Sequence, residues 1–220
     1  RTLQGKIQQN ELAERLATVR ERMAQACAGS GRATDSVILL AVSKRQPVDA
    51  IAALNDLGQR HFGENRLQEA LAKQTALRGR NITWHFIGPV QSNKTRDIAT
   101  RFDWVQSVDR PKIVQRLQEQ RPEGLAPLNV CLQVNIDEEP QKAGATAEAT
   151  PGLAARVAAC DRLRLRGLMC IPELSDDTEK TLDSFRRVAR LAEQLRADGH
   201  ELDTLSMGMS GDLELAIAAG

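Results

Sequence analysis

Ser36-Val37-Ile38-Leu39-Leu40-Ala41-Val42-Ser43-Lys44, followed by Arg45-Gln46-Pro47 and a helical stretch that stops at Gly58, decides the fold of this chain. A branched, apolar run that gives way to a helix is a strand–helix unit. The unit recurs. Arg60-His61-Phe62-Gly63-Glu64 precedes a helix from about Leu67 to Leu77, Ile82 to Ile87 precedes one from about Asn93 to Thr100, and Asp103 to Val108 precedes one from about Pro111 to Gln120. Leu128 to Asn135 leads to a helix from about Pro151 to Cys160. Leu165 to Cys170 leads to one through Leu182, Phe185, Val188, Ala192 and Leu195, which Gly199 ends. Thr204-Leu205-Ser206-Met207 opens into a short helix reaching Gly220. Seven such units predict a parallel sheet, because right-handed crossovers place the helices on its faces. Two α/β architectures satisfy this, an open doubly wound sheet and a closed barrel. An open nucleotide-binding sheet usually carries a glycine-rich turn after its first strand, and Ser43-Lys44-Arg45-Gln46-Pro47 has no glycine. The reading is therefore a (β/α)8 TIM-type barrel whose eighth strand is absent from this sequence. Upstream, Leu12, Leu16, Val19, Met23 and Ala26 share one face and Gly29 and Gly31 follow, so residues 1–30 are predicted to be an extra helix packed on a single barrel domain spanning 1–220.

Composition excludes several functions. With 41% hydrophobic and 27% charged residues the chain has the make-up of a soluble globular protein, not of a disordered or collagen-like one. The formal charge of +1 supplies no global field toward nucleic acid or anionic lipid. Aromatic content of 3%, with no tyrosine, argues against base-stacking platforms and removes every phenol from catalysis. No apolar stretch approaches the ~18 residues of a membrane helix. The reading is thus no nucleic acid and no membrane. Cys27, Cys131, Cys160 and Cys170 show no C-x-x-C spacing and sit mostly in apolar runs, as thiols of a reducing compartment do, and a cytoplasmic location is expected. His61, His85 and His200 lie far apart without cysteine partners, so no zinc spacing is visible. Arg1 followed by Gln4, Lys6 and Gln8 is no secretory apolar region, and the missing Met suggests processing or trimming. Arg162, Arg164 and Arg166 alternate and are read as a solvated segment entering a strand from the base of the barrel.

In a barrel the chemistry gathers where strands end. The first strand delivers Lys44 after six apolar residues. Such a lysine either snorkels to solvent or, if burial disfavours its ammonium form, attacks an aldehyde to give a Schiff base. Gly63-Glu64-Asn65 closes the second strand and His85-Phe86-Ile87-Gly88 the third, with Gln91-Ser92-Asn93-Lys94 following at a helix start. Singly, these are ordinary helix-start residues and an ordinary core histidine. The seventh strand ends in Ser206-Met207-Gly208-Met209-Ser210-Gly211, which offers two hydroxyls and free backbone N–H groups before a helix. Such a turn either cradles a phosphate or simply caps the helix through Ser210. Asp212 and Glu214 would repel a dianion there unless they point outward. An amine and an anion nest on one rim fit an aldehyde carrying a phosphate.

Five motifs in this order resemble the pyridoxal 5′-phosphate homeostasis family, which is alanine racemase N-terminal domain-like. They are Leu40-Ala41-Val42-Ser43-Lys44, His61-Phe62-Gly63-Glu64-Asn65, Trp84-His85-Phe86-Ile87-Gly88-Pro89-Val90-Gln91-Ser92-Asn93-Lys94, Leu165-Arg166-Gly167-Leu168-Met169, and Leu205-Ser206-Met207-Gly208-Met209-Ser210 with Asp212. The resemblance covers almost the whole chain. It implies pyridoxal phosphate bound as an internal aldimine on Lys44, its phosphate held by Ser206, Met207, Gly208 and Ser210, and Asn65 and His85 bordering the cofactor. It further implies a role in vitamin B6 and amino-acid homeostasis without catalysis, with the cofactor passed on in transient contact with pyridoxal-phosphate-dependent enzymes. The family continues into a final strand bearing an Arg-x-Gly-Thr pattern, and this sequence stops before it. A monomer is expected, since no wide apolar stripe is left once the first helix covers the barrel. The alternative is a pyridoxal-phosphate-dependent amino-acid racemase, which by the alanine-racemase route needs a second base that is a tyrosine there. A Schiff-base aldolase acting on a sugar phosphate would use the same lysine and phosphate logic without a cofactor.

Overall fold

The computed structural model describes residues 3–220. After α1 (Leu3–Gly29), strands and helices alternate: β1 (Ala41–Val42), α2 (Val48–Asp56), β2 (His61–Glu64), α3 (Leu67–Ala76), β3 (Thr83–Phe86), α4 (Thr95–Arg101), β4 (Trp104–Val108) and α5 (Pro111–Gln120). They continue with β5 (Leu128–Gln133), α6 (Thr150–Ala158), β6 (Leu163–Met169), α7 (Thr178–Ala197), β7 (Thr204–Ser206) and α8 (Leu213–Ala219). All seven strands pair in parallel with their neighbours in chain order. The sheet curls into a half-barrel with the helices outside, the architecture expected from the repeated units.

The two faces of the sheet are chemically different. Phe62, Trp84, Phe86, Val105, Val130, Leu132 and Leu168 point outward and pack with Ile98, Ile113, Leu117, Leu153, Val157, Phe185, Val188 and Leu195 of the helices. Each such side chain, fully buried, stabilises the fold by roughly 1.5–3 kcal/mol. The alternate positions face inward, and that face is mostly polar: His61, His85, Gln106 and Ser206, beside a small cluster of Trp104, Cys131 and Met169. A parallel sheet carrying polar residues on its concave face is built to hold something there rather than to close on itself dry.

Helix ends follow local chemistry. Asp177 caps α7 by accepting the N–H of Glu179 and Lys180, and Gly199, at φ 100°, lets the chain turn away beyond it. Pro111 starts α5, where its missing N–H costs nothing. The N-terminal helix lies against α2 and α8. Arg22 ties it to α8, with Nε 2.6 Å from Glu214 Oε1 and Nη2 2.8 Å from the Ser210 carbonyl, and Arg32 Nη1 donates to the Ile217 carbonyl at 3.0 Å.

Two details differ from the sequence reading. The first strand, expected over residues 36–44, is regular only at Ala41–Val42, with one more backbone bond from the Ser43 N–H to the Gly63 carbonyl at 2.9 Å, and it lies at the sheet edge with β2 on one side alone. Further back, the Gln59 side-chain amide does the bridging, donating to the carbonyls of Leu39 and His61 at 2.7 and 2.8 Å. The arginine triplet is also not uniformly solvated. Arg162 pairs with Glu123 and Arg164 is exposed, but Arg166 lies inside the curl, its guanidinium 4.5 Å above the Trp104 ring. Parallel pairing of β5, β6 and β7 sets Asn129 and Asp203 beside Arg166, which donates to both. Hydrogen bonds and a cation–π contact thus replace its hydration. Among the described residues, no helix is long and apolar enough to cross a membrane.

Candidate functional site

Because every strand is parallel, their C-terminal ends form one rim. Lys44 stands just past β1, on a turn with Arg45 at φ 60°, a left-handed conformation that costs about 1–2 kcal/mol for a residue with a side chain. Its amine makes no hydrogen bond or ion pair with any described residue, and the side chain is exposed. Of the two readings of Lys44, the exposed one is what the structure shows, with β1 paired among the described strands to β2 alone. The amine is accessible to an incoming aldehyde as the chain stands.

Asn65, past β2, has its side-chain oxygen Oδ1 buried without a partner. Leaving such a carbonyl dry costs roughly 1–3 kcal/mol, so it is a group that a ligand donor would satisfy. Asn65 is wedged against the end of β3: a Cβ on Gly88 would come 2.8 Å from Asn65 Cα, so only glycine permits this approach. Gly88→Ala is expected to cost about 2–3 kcal/mol, read as a lower urea midpoint at unchanged slope, and an unaltered midpoint would contradict the close approach.

His85 is held within a chain of four side chains from four strands. Gln106 Nε2 lies 2.9 Å from His85 Nδ1, His85 Nε2 lies 2.9 Å from His61 Nδ1, and the Ser206 hydroxyl donates to Gln106 Oε1. The proton positions follow. Gln106 spends its oxygen on Ser206, so its amide N–H donates to Nδ1 of His85, which must carry its proton on Nε2 and give it toward His61. Trp104 stacks on the same ring, with centroids 5.1 Å apart and planes at 19°. Burial first, and the neighbouring His61 second, push the His85 pKa down to about 3, so the ring is neutral.

The seventh rim element is the turn after Ser206. Gly208, at φ 93°, packs so closely on α8 that a Cβ would lie 2.7 Å from that of Ala216. Met207 packs on the main core and so offers backbone only. The Met209 N–H is taken by Asp212 Oδ1 at 2.6 Å, while the N–H groups of Gly208, Ser210 and Gly211 donate to no described residue. Glu214 is paired with Arg22, which also donates to the Ser210 carbonyl of the turn. The repulsion feared from these two acids is therefore largely removed: one is neutralised by an arginine and the other occupied with a backbone donor.

Lys44, Asn65, Ser206, Gly208 and Ser210 thus share the rim, with Met207 lending backbone, and His85 lies deeper on the concave face. Sequence reasoning missed Gln106, although its signal was present: a polar residue within a strand whose five positions are all buried. It also missed Asp137, in the unread loop after β5, which accepts from Ser184, Arg187 and the Glu173 N–H and so fixes the rim beyond β6. Burial raises the Cys131 and Cys170 thiols to about 12, so these two stay protonated and unreactive.

A curled parallel sheet with a lysine at its first rim position and a serine–glycine turn at its last defines a class: residues 8–219 match the alanine racemase N-terminal domain family. The chain is 52% identical over 209 residues to the pyridoxal phosphate homeostasis protein of Pseudomonas aeruginosa, covering 95% of this chain and 90% of that one. It is 45% identical over 214 residues to the protein of the same name from Escherichia coli K12, covering 96% and 92%. It belongs to the pyridoxal phosphate homeostasis protein family. Among solved structures, PipY of Synechococcus elongatus PCC7942 with PLP bound superposes with a TM-score of 0.83 at 38% identity, over 95% of this chain and 94% of PipY.

Proposed function

We propose that this protein binds pyridoxal 5′-phosphate as a Schiff base on Lys44 and takes part in intracellular vitamin B6 homeostasis without a reaction of its own. The observation that carries the reading is the pairing, on one rim, of an unpartnered exposed amine with a turn whose Gly208, Ser210 and Gly211 N–H groups are undonated. Condensation of the Lys44 amine with the cofactor's aldehyde forms one C=N bond and releases one water. Asn65 Oδ1, buried and unsatisfied, accepts from a donor on the ligand, and neutral His85 borders the ring. Held this way the group would be an imine, and water hydrolysing that C=N bond would return the amine to Lys44 and the free aldehyde for use by other enzymes. A phosphate dianion only accepts hydrogen bonds, so Ser206 contributes to holding it only when its hydroxyl turns from Gln106 Oε1 toward the turn. Lys44 exposure suits a protein that releases its cargo in transient contact with pyridoxal-phosphate-dependent enzymes. A cytoplasmic monomer, one barrel domain over 1–220, completes the proposal.

The test is direct. Wild-type protein mixed with pyridoxal phosphate is expected to turn yellow and, after borohydride reduction, to gain the mass of one cofactor on the peptide containing Lys44. Lys44→Ala should lose the colour and that adduct at unchanged thermal midpoint. A colourless wild type with no adduct overturns the binding function, and conversion of L-alanine to D-alanine at enzyme-like rates would replace the non-catalytic role with a racemase.

A further inference from the structure

The turn that carries Lys44 is gripped from beneath by a buried ion pair. Glu64, on the outward face of β2, is wholly inaccessible, and Lys73 of α3 is only 7% exposed. Lys73 Nζ lies 2.6 Å from Glu64 Oε1 and 2.7 Å from the Ser43 carbonyl, and the Ser43 hydroxyl donates to the same Oε1 at 2.9 Å. Glu64 Oε2 has no partner, so every polar contact of this carboxylate is made through the oxygen that meets Ser43 and Lys73. On the other side of Lys44, the Arg45 N–H reaches Glu69 Oε2 at 3.4 Å, and Glu69 in turn lies 3.9 Å from Lys73. The Ser43 carbonyl also accepts the Gln46 N–H at 3.0 Å, closing the turn.

An ion pair buried between sheet and helix rarely improves on apolar side chains of the same volume, because desolvation offsets the attraction. Here Lys73 ties down the Ser43 carbonyl before Lys44, and Glu69, beside Lys73, takes the Arg45 N–H after it, so this charged group grips the peptides on both sides of a residue with an exposed side chain. We propose that Glu64, Lys73 and Glu69 are positioning residues: they clamp the Ser43–Gln46 turn so that Lys44 is presented to the aldehyde in one orientation, lowering the entropy lost when the Schiff base forms. The proposal rests on the reading of Lys44 given above and adds to it the device that aims the amine.

The informative variant is Glu64→Leu combined with Lys73→Met, which replaces the pair by apolar side chains and leaves the Ser43 hydroxyl its second acceptor, the Gly63 carbonyl. In this double variant, amide hydrogen exchange at Arg45 and Gln46 is expected to rise about tenfold, the order of one lost charge-assisted hydrogen bond, with exchange elsewhere unchanged. The rate of Schiff-base formation with pyridoxal phosphate should fall by about the same factor, with the thermal midpoint close to that of wild type. Unchanged exchange at the turn overturns the clamp, whatever the cofactor does; loosened exchange with an unchanged rate overturns its role in presenting Lys44. A wild type lacking the Lys44 adduct overturns the binding reading instead, so the two failures are told apart. Should the double variant fail to fold, Glu69→Gln on the outer face of α3 tests the other side: exchange at Arg45 is expected to rise about threefold through the weakened acceptor, and no rise overturns the clamp.

Discussion

Lowering the pH from about 6.5 toward about 3 is expected to remove several kcal/mol of stability, most of it through His85. The folded protein holds this ring neutral, with its pKa pushed down to about 3 from an ordinary 6.5 by burial and then by His61. The unfolded chain takes up a proton below pH 6.5 and the folded one does not until about 3. Between these values the unfolded state binds more protons, so stability falls as pH falls; above 6.5 both states are neutral and His85 contributes no slope. At ~1.4 kcal/mol per unit the window is worth on the order of 4 kcal/mol. His61, lowered chiefly by its own burial, acts in the same direction. Asp203, whose pKa is lowered chiefly by its hydrogen bond from Arg166, gives stability that is lost only below the ordinary carboxylate range, so it does not blur the upper part of the window. Urea unfolding at half-unit steps of pH measures the slope. In His85→Gln, which takes no proton, the slope between pH 6.5 and 4 should drop to the part due to His61. A wild type with flat stability over that interval would show that the ring is not held neutral, and the proton assignment along His61, His85, Gln106 and Ser206 would fall with it.

Lys73→Met by itself is expected to destabilise the protein by ~3–5 kcal/mol, far more than the paired replacement of Glu64 and Lys73. The single change leaves a carboxylate with no exposure and no countercharge, its remaining contact being the Ser43 hydroxyl. For a chain of this length the loss corresponds to a fall of about 10 °C in thermal midpoint. The paired change removes both charges together and avoids that penalty. Equal effects of the single and double variants would mean that Glu64 finds water or another cation when Lys73 is gone, and that the site is not dry. The comparison separates the energetic cost of an orphaned charge from the local loosening that exchange at the turn reports.

The alternation of strands and helices was legible because each strand is a compact apolar run and each helix repeats its apolar side chains at three- and four-residue steps. The rim residues were legible as strand-end residues: Lys44, Asn65 and Ser206 lie where a period-2 run stops. What could not be read were relations across the sheet. That Gln106 bridges His85 to Ser206 depends on how far the sheet curls, since those residues are on β4, β3 and β7 and no spacing along the chain encodes their distance. Arg166 was misjudged for the same reason, its partners Asn129 and Asp203 belonging to adjacent strands. The exposure of Lys44 is likewise set by what flanks β1, not by the apolar residues that precede it, and the nine-residue strand expected there is regular only at Ala41–Val42, with β2 on one side alone, so β propensity did not set its length. Glu64 and Lys73, nine positions apart, meet only because α3 folds back over β2.

The spatial order of the strands, identical to their order in the chain, has a consequence for biosynthesis. Each strand leans on the one made just before it, so the sheet can grow strand by strand as the polypeptide leaves the ribosome, with no late segment threading between early ones. Lys44 is delivered near the beginning of this process and the serine turn near its close. The turn is set when α8 seats on α1, made well before it, through Arg22 and Glu214. A nascent chain therefore displays its reactive amine long before the opposite grip exists, and any ligand grasped at both places can be retained only by a finished sheet.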